Sequence, residues 1–301
     1  VSRLAAASFV LVFVVAGPLA AQQNAPPASD PKNPPAVQGT AAGSGRSAAP
    51  LGGFAGLDAG NSKAPIEIDA DDGIEWLRDQ NVYIARGNAR AARGDVSVTA
   101  DTLTAHYRND ADGKTRVYMI EADGHVVLVS KNSQIVGDKA VYDVEKGAAV
   151  ITGKKLRATS KDQYVTARDS LEYWENQGAV IARGDAVAAD AQQQVYADLL
   201  TGYFRPDATG AKKLYQVEAN GNVRILSKGN VARCLKAVYN LQNDVATLEG
   251  GVKITRGQNQ LNGERAVYNL KTGQAKITSG TGGRVKTLLV PGGDSGGILK
   301  P

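Results

Sequence analysis

Chemistry at a protein site needs nucleophiles, acids and bases, or metal ligands at short and matched spacing. This sequence is poor in all three. His106 and His125 are its only histidines, and Cys234 is its only cysteine. The histidines show no HxxxH-type spacing and have no cysteine partners, so they form no metal-ligand pattern. No GxSxG elbow and no phosphate-cradling P-loop occurs. A lone cysteine forms no intramolecular disulfide, and Cys234 reads as a small, half-buried side chain. Asp101, Asp138 and Asp198 recur in Ala-Asp or Gly-Asp steps beside turns. A short carboxylate at such a place is expected to bond local backbone. The residues therefore call for no catalytic group, no metal and no cofactor, and point to binding.

The elements that would carry a binding surface are short strands. From about 65 to 290 the chain is built of short runs of Val, Ile, Leu, Ala, Thr and Tyr. Turn-forming groups such as Arg93-Gly94-Asp95 and Asn220-Gly221-Asn222 separate them. Period-2 runs between tight turns make strands. The chain also matches itself at a shift of 97 residues without a gap. Ile84-Ala85-Arg86-Gly87 becomes Ile181-Ala182-Arg183-Gly184, and Glu121-Ala122-Asp123-Gly124 becomes Glu218-Ala219-Asn220-Gly221. Copies over about 66–153 and 163–250 follow, with a partial third over 251–278. A smaller motif recurs as Ala140–Val144, Ala237–Leu241 and Ala266–Leu270. Alternation along a strand puts Ala140, Tyr142 and Val144 on one face and the polar Asp143 on the other.

A unit of this kind cannot bury its apolar face alone, whereas stacked copies share one core. Short turns suit antiparallel hairpins and do not suit parallel crossovers. The expected fold is all-β, an open antiparallel β-jellyroll stack built from the internal 97-residue repeat. Two alternatives remain. An exported β-helix enzyme acting on polysaccharide would use clustered carboxylates. Asp71 and Asp112 become Arg168 and Thr209 in the second copy, which leaves that reading open. The other alternative is a structural β-repeat protein.

The ends differ in kind. Residues 1–21 carry Arg3, an apolar run and small residues before a cleavage point, the layout of a signal peptide. Residues 22–64, rich in Ala, Pro, Gly and Ser, read as a disordered linker, and Gly-rich 292–301 as a flexible tail. Between them lies one β domain, 65–291. The net charge of +5 is well mixed. With no basic block and an export signal, nucleic acid is excluded as a partner.

Three places resemble the LptA/OstA-like family of periplasmic lipopolysaccharide-transport bridge proteins. Pro65–Asp71 is similar to the family's opening strand. Gly221-Asn222-Val223 and Gly137–Tyr142 are similar to its repeated strand signature, and Arg284–Pro291 to its last strand. The second full copy makes this chain longer than the simplest members, so its stack should be longer. The resemblance implies a periplasmic protein whose apolar groove shelters lipid A acyl chains. It implies three protein partners: an inner-membrane transport protein of the same fold, the N-terminal domain of the outer-membrane assembly protein, and further copies of itself joined head to tail. Exposing one twelve-carbon chain to water costs about 9 kcal/mol at roughly 0.8 kcal/mol per methylene, so a sheltered path is needed.

Strand facing then names the expected groove residues: Ile66, Ile68, Val126, Leu128, Tyr142, Val144, Val223, Ile225, Tyr239 and Leu241. Val127 becomes Arg224 in the second copy and is expected to point outward. The partner edges are expected at Ile66, Glu67, Ile68 and Asp69, and at Lys286, Thr287, Leu288, Leu289 and Val290. Exposed edges of this kind recruit further strands.

Overall fold

The computed structural model describes residues 66–290 except 94–95, 111–112, 131–132, 161–162, 209–211, 228, 273 and 289. The expected leader, linker and tail, and Leu289, lie outside the described residues.

The described residues form eighteen strands. The first half comprises β1 (Glu67–Asp69), β2 (Gly73–Leu77), β3 (Val82–Arg93), β4 (Val96–Asn109), β5 (Thr115–Ser130), β6 (Ser133–Asp143), β7 (Ala148–Thr152), β8 (Arg157–Ser160) and β9 (Gln163–Thr166). The second comprises β10 (Ser170–Trp174), β11 (Ala179–Ala189), β12 (Gln193–Pro206), β13 (Lys212–Ser227), β14 (Asn230–Asn240), β15 (Val245–Arg256), β16 (Asn259–Asn269), β17 (Gln274–Thr278) and β18 (Lys286–Leu288). Lengths recur: β4 and β12 have 14 residues, β5 and β13 have 16, β6 and β14 have 11. Among the described residues every pairing is antiparallel, which removes the parallel β-helix.

The long strands bend midway. Register breaks fall between Arg86 and Ala89 in β3, Asp123 and Val126 in β5, Arg183 and Ala186 in β11, and Asn220 and Val223 in β13. At these corners Gly124-His125 and Gly221-Asn222 both take positive φ. Such backbone needs glycine at its first position and tolerates Asn at the second. Each long strand thereby contributes one half to each of two layers. The buried residues of both halves, Ile151 and Leu171 from one and Ala158 and Val195 from the other, belong to one cluster. The two layers therefore face each other across a shared core. At ~4.8 Å per strand the stack is about 60 Å long.

The short strands divide this work between them. β7 extends one half of β6 and β8 the other. β10 and β9 extend the two halves of β11 in the same way. β7 pairs with β10 and β8 with β9, so six strands close a barrel-like hydrogen-bonded ring at mid-chain. This modifies the expectation of an open stack throughout: side chains fill the centre, where Leu171, Ile151 and Ala186 are fully buried. Openness survives at the two ends. Among the described residues, β1 and β2 pair only with β3, and β17 and β18 only with β16.

Candidate functional site: an apolar slit with two strand-edge rims

The inner faces of the two layers line a slit. Ala is interspersed with bulkier residues along it: in one layer Leu103, Ala122, Ala140 and Ile151 sit in register across β4 to β7. A mixture of small and large side chains lets facing layers interdigitate. Packing is heaviest in the middle and toward the C-terminal half. The N-terminal strands hold a smaller separate cluster of Ala85, Ala89, Ala100, Leu103, Ala122 and Val126. At the C-terminal end an apolar cavity of about 40 Å³ lies between the layers. Ile225, Ala232, Ile254 and Leu261 line it from one layer, Leu248 and Ile277 from the other.

Of the expected groove residues, Ile225 lines this cavity, while Val126, Leu128 and Val223 are buried in the packed part of the slit. Tyr239 is buried, and Tyr142 and Leu241 pack against the same core. Val144 is half-buried just past β6, its N–H donating to Tyr118 O at 2.9 Å. Ile66 and Ile68 are exposed at the N-terminal mouth. Val127 is half-buried, opposite the half-buried Val136.

Sequence reading missed the aromatic wall of that mouth. Trp76 stacks on Tyr83 with ring centroids 5.5 Å apart, and Tyr83 leans on Tyr107 at 5.0 Å. Trp76 Nε1 donates to Tyr107 Oη at 2.7 Å, and the Arg78 guanidinium sits 4.0 Å over the Trp76 ring. Ile74 and Trp76 pair with Ala85 and Tyr83, so they share the inner face although both are exposed. The only sequence signal was Trp76 itself, a large apolar residue in a chain with two tryptophans.

Among the described residues, β1 and β18, which carry the expected edge residues, each pair with one strand, and each is half of a rim. β1 is completed by β2 across the corner, and β18 by β17. Lys286, Thr287 and Leu288 form β18, whereas Val290 lies beyond it, its N–H donating to Asn259 Oδ1 at 2.9 Å.

The groups first weighed for chemistry are held in local hydrogen bonds and ion pairs or packed in the interior. His125 pairs with Asp101 at 2.9 Å and His106 with Glu121 at 3.2 Å. The Asp101 hydrogen bond and charge raise the pKa of His125 on the open surface. Cys234 is buried, and burial pushes its thiol up to about 11, an unreactive state. Asp138 accepts from the Lys154 N–H at 2.8 Å, and Asp198 from Asn222 Nδ2 at 2.9 Å. Among the described residues, no group of three or more His, Cys, Asp or Glu side chains is placed to hold a metal ion.

Fold and lining together define a β-jellyroll protein with a two-layered apolar slit and, among the described residues, terminal strand rims that pair on one side. A family model described as LptA/(LptD N-terminal domain) LPS transport protein matches residues 67–173 and again 164–274, and the chain belongs to that family. It is similar to the crystal structure of LptH, the LptA-homologous periplasmic component of the lipopolysaccharide transport device of Pseudomonas aeruginosa. That similarity is 22% in identity, covers 43% of this chain and 95% of that one, and has a TM-score of 0.36. Comparison with curated proteins returned no match.

Proposed function

We propose that this chain binds lipopolysaccharide in the periplasm and passes it along its slit. The acyl chains lie between the layers. The rims join it to an inner-membrane transport protein of the same fold, to further copies of itself, and to the N-terminal domain of the outer-membrane assembly protein. Family membership supports the lipopolysaccharide and the periplasmic setting. The observation that carries the reading is the inner apolar face, which runs from Ile74 and Trp76 at one rim to Ile277 at the other. A continuous lining lets a lipid move by steps without meeting water. The double match of the family model supports two copies of one unit, so the slit offers similar surroundings at successive steps. Proteins of this role act by binding and need no catalytic group.

The test uses strand alternation. A photo-crosslinking residue at Ile254, which lines the cavity, should capture lipopolysaccharide in cells. The same residue at the exposed neighbour Lys253 should not. Equal capture at both positions would sink the slit as the lipid path.

A further inference from the structure

The chain contains, at its own centre, a junction between a C-terminal rim and an N-terminal rim. β7 and β8 end the first unit, and β10 and β9 begin the second. β2 and β1 have the same relation to β3 as β10 and β9 have to β11: Ile74 pairs with Ala85 as Leu171 pairs with Ala182. β17 and β18 have the same relation to β16 as β7 and β8 have to β6: Ile277 pairs with Ala266 as Ile151 pairs with Ala140. The free rims are thus the two halves of a junction already formed once.

We propose that a second copy of this chain docks on the C-terminal rim in the register of the internal junction, through both β17 and β18. This rests on the head-to-tail reading given above, and adds its register and its residue pairs. Internally, Leu171 faces Ile151, Glu172 faces Val150 and Tyr173 faces Ala149. Transferred to the rims, Ile277 faces the second copy's Ile74, Lys276 faces its Glu75, and Ala275 faces its Trp76. In the other layer, Ala158 faces Val165 and Arg157 faces Thr166. Transferred, Thr287 faces the second copy's Ile68 and Lys286 faces its Asp69. The strands β16, β17 and β18 with the second copy's β1, β2 and β3 then close a ring of the same six-stranded kind.

Two independent features fit this register. Exposure is the first: Ile74, Trp76 and Ile68 are 52%, 49% and 42% exposed, while their internal counterparts Leu171, Tyr173 and Val165 are 0%, 3% and 6% exposed. Docking would cover these side chains as the internal junction covers theirs. Charge is the second: both outward cross-pairs, Lys276 with Glu75 and Lys286 with Asp69, join opposite signs, and both lysines are exposed. A slip of one residue would turn every apolar side chain to the wrong face.

The test is a cysteine pair in the full chain with Cys234→Ala. Ile74→Cys with Ile277→Cys should give a ladder of oxidised multimers, because directly opposed residues lie within disulfide reach. Ile74→Cys with Ala275→Cys, offset by two residues on the same face, should give little. Glu75→Lys should weaken association about tenfold, and Lys276→Glu in the same chain should restore it. A ladder favouring the offset pair, no ladder, or no rescue by the charge swap would overturn the register. Lipopolysaccharide capture at Ile254, read in the same cells, reports on the slit separately. Capture without the ladder would therefore fail the register and leave the proposed function standing.

Discussion

At the scale of single residues, Glu172 on the outward face of β10 is a buried carboxylate held by several bonds. Its carboxylate accepts from Arg183 Nε at 2.5 Å, Ser170 Oγ at 2.7 Å and Trp174 Nε1 at 2.8 Å, and it is buried. Burial pushes this carboxyl up, but the bonds from Arg183, Trp174 and Ser170 and the Arg183 charge outweigh it and hold its pKa below the usual glutamate value. A folded-state pKa lowered in this way stabilises the protein fully above the unfolded value. That contribution is lost as pH falls through the folded value. Glu172→Gln should therefore lower unfolding stability by about 1–3 kcal/mol at pH 7, with the deficit shrinking as the pH drops below about 4. Urea melts at pH 7 and at low pH check this; a deficit independent of pH would mean that Glu172 acts by packing alone. The recurring Ala-Val-Tyr motif also gains a residue-level reason. Asp143, which reads in the sequence only as a polar residue on the opposite face, and its counterpart Asn269 cap the following turns. Asp143 Oδ1 accepts from the N–H groups of Glu145 and Lys146, and Asn269 Oδ1 from those of Lys271 and Thr272.

At the scale of elements, the corner decides the architecture. Gly221 has φ +77°, and a Cβ there would overlap the Asp198 carboxylate of the neighbouring strand. Gly229, in the next turn, has the same φ but nothing within 4 Å of a built Cβ. Gly229→Ala should therefore show the backbone penalty alone, about 1–2 kcal/mol. Gly221→Ala should lose more, because Asp198 must also shift. Equal losses in denaturant melts would show that the corner does not depend on this close approach. The same corner shows how far the sequence could be read. Strands, their antiparallel pairing and the inward facing of Tyr239 and Val223 were legible, because period-2 alternation and turn residues are local signals. The bend was not. A Gly-Asn step inside a strand looks like a hairpin turn, and only pairing partners that skip both residues show that one strand crosses two layers. The split rims were hidden for the same reason. β2 and β17 are five-residue strands, and their partnership with β1 and β18 exists only because β3 and β16 bend and pair with one of them through each half. The Trp76–Tyr83–Tyr107 wall joins residues from three strands, and no spacing rule predicts it.

At the scale of the whole molecule, the slit is narrower than its guest. The C-terminal cavity holds about 40 Å³, well short of the ~150 Å³ of an apolar cavity that takes one benzene. An acyl chain therefore enters only if the layers part. The geometry says where they yield. Each layer is a continuous hydrogen-bonded ladder and resists stretching along the stack, whereas the long strands pass from one layer to the other at the corners, where Gly250-Gly251 and Gly221-Asn222 carry positive φ. Opening by rotation at those corners separates side chains without breaking the pairings of either layer. The C-terminal end should open more readily than the centre, where Leu171, Ile151, Ala186 and Val195 are fully buried. Spin labels at Thr247 and Lys253, on the two outward halves of β15, span one such corner. Their separation should increase by several ångström when lipopolysaccharide is added. An equivalent pair on β11, at Ile181 and Val187 beside the six-stranded ring, should move less. Saturating lipid with no change at either pair would mean that the guest does not lie between the layers. A larger change on β11 than on β15 would place the yielding segment in the ring itself.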